Sequence, residues 1–195
     1  MPLGANKAAI MGVAGVSTAD VVLLSTQTAS GDSAISFTSG ITSTYGEYIF
    51  KFYVMNPATD GSKFGFQVNA ASQSGYNETI TSTAFRAYHA EDDSAAALGY
   101  MTNLDQAQGT AAQVASVSTG DGADEGLSGK MHFFNPSSTT YVKHFYVETA
   151  NAQENNEAYH TFIAGYINVT AAIDDIKFYM SSGNFDGTIK MWGVK

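Results

Sequence analysis

Residues 47–54, EYIFKFYV, alternate without a break. Tyr48, Phe50, Phe52 and Val54 fall on one side, Glu47, Ile49, Lys51 and Tyr53 on the other. A period of two sends successive side chains to opposite faces of an extended chain, so this stretch predicts a strand with one face in a core. NPATDG (56–61) then supplies Pro, Asp and Gly for a turn. KFGFQV follows, with Phe64, Phe66 and Val68 on one face, and the pair reads as a β-hairpin with a longer loop. The logic recurs in KMHFF (130–134), NPSSTT and YVKHFYV (141–147). Further strands are expected at 35–38, 84–89, 162–168, 175–180 and 188–194, with a short one at VVLL (21–24). Short strands separated by turn signals predict an all-β, antiparallel β-sandwich or barrel.

A chain of 195 residues is long enough to bury about 70% of its unfolded surface in a single domain. It has no cysteine, so no disulfide contributes. Charged residues are sparse at 14% against 12% aromatic, which favours sheet over long surface helices. The net charge of −9 repels phosphate backbones and anionic lipid, so neither nucleic acid nor a membrane is expected as a partner. No apolar run reaches the length of a transmembrane helix.

Residues 1–30 show neither period. Leu3, Ile10, Met11, Val13 and Val16 are interrupted by Gly4, Gly12 and Gly15. Glycine weakens helix and strand alike, and the segment is expected as an extended N-terminal arm that orders by docking on a partner. Its start has a faint likeness to a signal peptide but is too glycine-rich for a strong apolar region. The sandwich is expected over 31–195. Residues 102–128 hold few large apolar groups and read as a solvated excursion, with one helical turn near Leu104–Ala107.

The chemistry of the chain is sparse. His89, His132, His144 and His160 lack metal-ligand spacing, and His132 and His144 sit inside strand patterns. His89 adjoins Glu91, Asp92 and Asp93, which reads as a solvated acidic loop. Asp121, Asp124 and Glu125 among glycines invite a calcium reading without matching the EF-hand spacing, and no metal or other cofactor is expected. Nucleophile elbow, phosphate loop and dinucleotide fingerprint are all missing, so no enzyme is expected. Asn77-Glu78-Thr79 and Asn168-Val169-Thr170 match the glycosylation sequon, which carries meaning only where that machinery acts. Tyr76, Tyr88, Tyr100 and Tyr159 flank loops and Trp192 lies near the C-terminus. Tyr76, Tyr88 and Tyr159 are the candidate ligand-facing aromatics, for stacking on sugar rings or filling protein pockets; cross-strand packing is the plainer alternative.

Three blocks carry a family resemblance: SAISFTSGITSTYGEYIFKFY (33–53), FNPSSTTYVKHFY (134–146) and AGYINVTAAIDDIKFYMSSGNFDGTIKMWGV (164–194). Together with PLGANKAAIMGVAG at the start they resemble small virion structural proteins of tailed bacteriophages, notably those of marine bacteria. The stretch from about 70 to 128 matches loosely. Trp192-Gly193 stands where some members have Tyr-Gly. The resemblance implies a jelly-roll-like sandwich, often trimeric, displayed on the particle surface after assembly in the bacterial cytoplasm. It implies a capsid decoration or cement protein docked by its arm on the major capsid protein or another virion protein. The alternative is the tip of a tail or head fibre that recognises a host-surface glycan or protein. A chain without heptads or repeats has no fibre shaft of its own.

Overall fold

The computed structural model describes residues 20–195. Leu3, Ile10, Met11, Val13 and Val16 of the expected arm therefore lie outside the described residues. Thirteen strands follow one another: β1 (Val21–Asp32), β2 (Ile35–Phe37), β3 (Glu47–Pro57), β4 (Phe64–Ala70), β5 (Ile80–Ala90), β6 (Ala96–Tyr100), β7 (Gln106–Gly109), β8 (Gln113–Val114), β9 (Gly126–Phe134), β10 (Lys143–Gln153), β11 (Glu157–Ile167), β12 (Ile173–Met180) and β13 (Phe185–Val194). They form two antiparallel sheets. One runs β1-β13-β3-β9-β10-β11-β5-β6 with β7 also on β5; the other runs β2-β12-β4-β8.

Eight of these strands make a jelly roll. In chain order they are β1, β2, β3, β4, β8, β9, β12 and β13. First, eighth, third and sixth lie side by side in one sheet; second, seventh, fourth and fifth lie in the other. That interleaving wraps two Greek keys around one core. The remaining strands are insertions. β5–β7 enter between the fourth and fifth roll strands, and β10–β11 between the sixth and seventh. β11 pairs with β5, so the two insertions join and widen the first sheet into a wing.

The core is aromatic. Tyr48, Phe50 and Phe52 point inward from β3, as their alternation dictates, and Phe64 and Phe66 meet them from β4. Phe178 of β12 sits at the centre, 5.3 Å from the rings of Phe50 and Phe52 and 5.9 Å from Phe64. Phe37 and Phe66 close the cluster at 6.3 and 6.2 Å. Each such ring, moved from water to this core, contributes about 1.5–3 kcal/mol, and the edge-to-face arrangements add to it.

Among the described residues the sandwich begins at Val21, ahead of residue 31. The whole of β1 pairs with β13, and Lys195 donates its backbone N–H to Asp20 (3.0 Å). STQTA (25–29) shows no apolar alternation because β1 is an edge strand. Only Ala29 of it is buried, and it is held by backbone pairing instead.

Residues 102–128 are not a solvated excursion, and no helix forms near Leu104–Ala107. Leu104 closes a turn on Met101 and is itself buried. Gln113, Ala115, Ser116, Val117 and Thr119 are buried after it. This stretch covers the inner face of the wing where the small sheet does not reach. The Thr149 hydroxyl donates to the Ala115 carbonyl (2.7 Å) and the Asn151 amide to Ser118 (3.2 Å). Side-chain amides do the work of apolar anchors. Gln67 donates to the carbonyls of Glu78, Thr110 and Ala111 and accepts from the N–H of Val68. The Gln67 amide is paired through both its nitrogen and its oxygen; Gln113 and Asn151 anchor through their amide N–H donors alone, and their side-chain oxygens are buried without a partner.

Lys143 is the other departure from pattern. It opens β10 on the inward side and is fully buried. Its ammonium donates to the carbonyls of Tyr141 (2.9 Å), Val169 (3.1 Å) and Thr170 (2.9 Å), which uses all three donors. Burial pushes its pKa below the ordinary lysine value, while the charge of Glu78 pulls the other way. The ammonium ties the β9–β10 loop to the β11–β12 loop. Lys143→Met keeps the stem and removes the donors. It is expected to cost about 2–4 kcal/mol, a fall in Tm of about 4–16 °C. A Tm within a degree of the parent would show that the ammonium does not hold these loops.

Candidate functional site

The two sheets are not equally covered. In the small sheet β4 is buried along its whole length, because loops pass over its outer side. The outer face of the large sheet is open. Along β10, Lys143, Phe145, Val147, Thr149 and Asn151 point inward, which leaves His144, Tyr146, Glu148 and Ala150 outward. The register carries the same division across the neighbouring strands.

Aromatic side chains crowd this open face, chiefly on the wing. Phe85 of β5 stacks on Phe162 of β11 at 4.9 Å and 12°. Phe85 is paired with Tyr100, and Ala87 with Leu98; Leu98 and Tyr100 are 74% and 56% exposed. His132 stacks on Tyr146 at 4.4 Å, with Phe134 beside it at 5.8 Å. A groove of about 490 Å³ runs between Phe134, Tyr146 and Tyr166 over a floor of Ala164 and Gly165. It adjoins a second hollow of about 730 Å³ that shares Phe134 and His144 and is bordered by the exposed Tyr141. Apolar surface on this scale marks an interaction site more often than idle surface.

A row of basic residues crosses the same face. Lys190 of β13 is paired with Lys51 of β3, and Lys51 with Lys130 of β9. The row continues to Glu148 and Phe162. Lys130 reaches Glu148 at 3.0 Å, and His160 reaches the other carboxylate oxygen at 2.9 Å. The hydrogen bond from Lys130 holds the Glu148 carboxyl below the usual range; burial opposes it, and the Lys130 charge and His160 add to the lowering. Lys51 lies over the Trp192 ring (5.6 Å) and Lys190 over Tyr53 (5.3 Å). Between Tyr53 and Met55 the strand bulges, and Val54 takes φ 48 with its side chain exposed and its N–H on the Ser128 hydroxyl. A β-branched residue rarely adopts that conformation.

The candidate aromatics of the sequence are not on this face. Tyr88 and Tyr159 stack on each other at 5.1 Å on the inner side of the wing. The Arg86 guanidinium lies 4.8 Å from both rings, and the Tyr159 hydroxyl donates to Glu157 (3.0 Å). Burial raises the Tyr159 pKa, and the bond to Glu157 adds to it. This is cross-strand packing. Tyr76 sits in the loop after β4, 4.7 Å from the Lys177 ammonium; burial and then Asp175 raise its pKa. Tyr100 and Trp192 do belong to the open face.

Of the acidic candidates, Asp121 and Glu125 converge with Asp60, which comes from the NPATDG turn. Their carboxylate oxygens lie within 4.8 Å of one another; Asp124 is not in the group. The Gly122 N–H already holds Glu125 (2.7 Å). His89 meets Asp93 at 3.2 Å in the exposed turn after β5. His132 meets Glu47 on the open face through its Nδ1. Such a pair can orient an imidazole, but among the described residues no serine, threonine or tyrosine hydroxyl hydrogen-bonds to any of the four histidines. No family model and no curated protein matches the chain.

Glu148→Gln tests the charge network. Glu148 contributes stability above the ordinary glutamate value near about 4.3, and loses it as the pH falls through its lower folded value. The variant should be less stable by up to about 1 kcal/mol at neutral pH, and the gap measured by urea unfolding should close in acid. A gap constant from neutral pH to well below that range would contradict the assignment.

Proposed function

We propose that this chain is a non-enzymatic structural protein of a bacteriophage virion surface, a decoration or cement protein that docks through its N-terminal arm. The observation that carries the reading is the open, aromatic face of the large sheet, in contrast to β4 of the small sheet, which loops cover along its length. The arm leads into β1, the edge strand of that sheet, where Val21 and Leu23 are about half exposed. A partner that holds the arm therefore also lies against the edge of the open face. The jelly roll is common among capsid and lectin domains, which is support by analogy of fold. The partner is the major capsid protein or another virion protein, and the assembly is a homo-trimer, closed symmetry being the norm. Attachment to the particle would itself stabilise the folded form by mass action.

The alternative is the tip of a fibre that recognises a host-surface glycan or protein. The aromatic groove on the inserted wing favours it, since insertions on a rigid roll are where recognition residues concentrate.

Deleting residues 1–16 separates these roles. The truncated chain keeps every strand of the sandwich and is expected to fold, with far-UV circular dichroism and Tm unchanged. Added to particles that lack the protein, it should fail to join them where the full chain binds near the copy number of the major capsid protein, counted by quantitative mass spectrometry. Equal incorporation of the truncated chain would exclude arm docking. A few copies of the full chain confined to the tail would exclude decoration in favour of the fibre tip.

A further inference from the structure

Three of the chain's nine basic residues stand in one lateral row, on a protein with twice as many acids as bases. Like charges directly opposite on neighbouring strands destabilise a sheet. Only Lys130 has a carboxylate within salt-bridge distance; among the described residues Lys51 and Lys190 have none. Their ammoniums lie instead over the rings of Trp192 and Tyr53. The fold thus keeps a cationic stripe flanked by flat rings, where neutral side chains would cost it less.

Beside the stripe lies a depression of about 260 Å³, lined by Lys51, Ser128, Lys130, Glu148, Ala150 and His160. Its floor is made of the short side chains of Ser128 and Ala150, and its walls offer cations, a hydroxyl, an imidazole and a carboxylate. An anionic group and several hydroxyls would each find a counterpart here. We propose that the open sheet face binds an acidic polysaccharide running across the strands, its carboxylate or sulfate groups on Lys51 and Lys190 and its hydroxyls in the adjoining depression. Glu148, neutralised by Lys130 and hydrogen-bonded to His160, accepts from sugar hydroxyls rather than repelling the chain. Charge complementarity selects the ligand, because a neutral glycan leaves the lysine row unpaired. An acidic protein surface would answer the lysines but would not need the adjoining depression with its hydroxyl, imidazole and carboxylate. The inference shares with the functional reading only the premise that this face is the working surface; it does not depend on the arm.

The test uses the full chain and polygalacturonate as probe, with dextran as the neutral glycan and polyglutamate as the acidic polypeptide, compared by affinity electrophoresis at physiological salt. Polygalacturonate should retard the protein, less so as salt rises, while dextran and polyglutamate leave it unretarded. The K51A/K190A double variant should bind at least about tenfold more weakly with an unchanged circular dichroism spectrum. K51R/K190R should retain binding, which cation–π packing alone would not require. Absence of retardation by polygalacturonate, equal retardation by dextran, or equal retardation by polyglutamate would each overturn the proposal. The deletion of residues 1–16 leaves this face whole, so loss of particle binding with glycan binding intact would count against the arm alone.

Discussion

The ring of Phe178 holds the two sheets together. It touches aromatic side chains from β2, β3 and β4 at once. A sheet gains stability from burying one face, and here the face buried is the one that meets this cluster. Everything outward follows from that choice. With period-two alternation, once Phe50 and Phe52 point at Phe178, Ile49, Lys51 and Tyr53 must point away. The open face is the necessary reverse of the core.

The inserted strands explain why that reverse side is so wide. A roll alone would present the outer side of β1, β13, β3 and β9. The wing of β10, β11, β5 and β6 roughly doubles it, and a buried polar segment replaces the sheet that would otherwise back the wing. Lys143 fastens the loops at one end, and the Arg86–Tyr88–Tyr159 stack fastens the inner side at the other. Both are costly arrangements for groups that could have faced water.

Much of the fold is legible in the sequence, since β3, β4, β10 and β12 announce themselves by alternation and by turn residues. β1 does not, because an edge strand is held by backbone pairing and need not alternate. The 102–128 segment does not either, because polar amides anchor it in place of large apolar side chains: Gln67 reaches Thr110 from a distant strand, and Gln113 reaches Leu104 within the segment. The site was less legible still. Lys51, Lys130 and Lys190 become neighbours only through register, which no local pattern encodes. Tyr88 and Tyr159 flank loops, as a ligand-facing pair might, but the stack with Arg86 turns them inward. Asp60 joins Asp121 and Glu125 from a separate turn. What had a signal was the composition: many aromatics and few charges, more rings than one core can bury.

The central proposal is that the wing end of the large sheet's outer face is where this protein meets the particle, with the lysine row of β13, β3 and β9 beside it. Hydroxyl-radical footprinting of the free chain and of the chain on intact particles, read residue by residue by mass spectrometry, tests it most directly. Tyr146, Phe85 and Tyr100 should be protected on the particle, while Tyr179 of the small sheet should label equally in both states. Unchanged labelling of Tyr146, Phe85 and Tyr100 together with protection of Tyr179 would contradict the account.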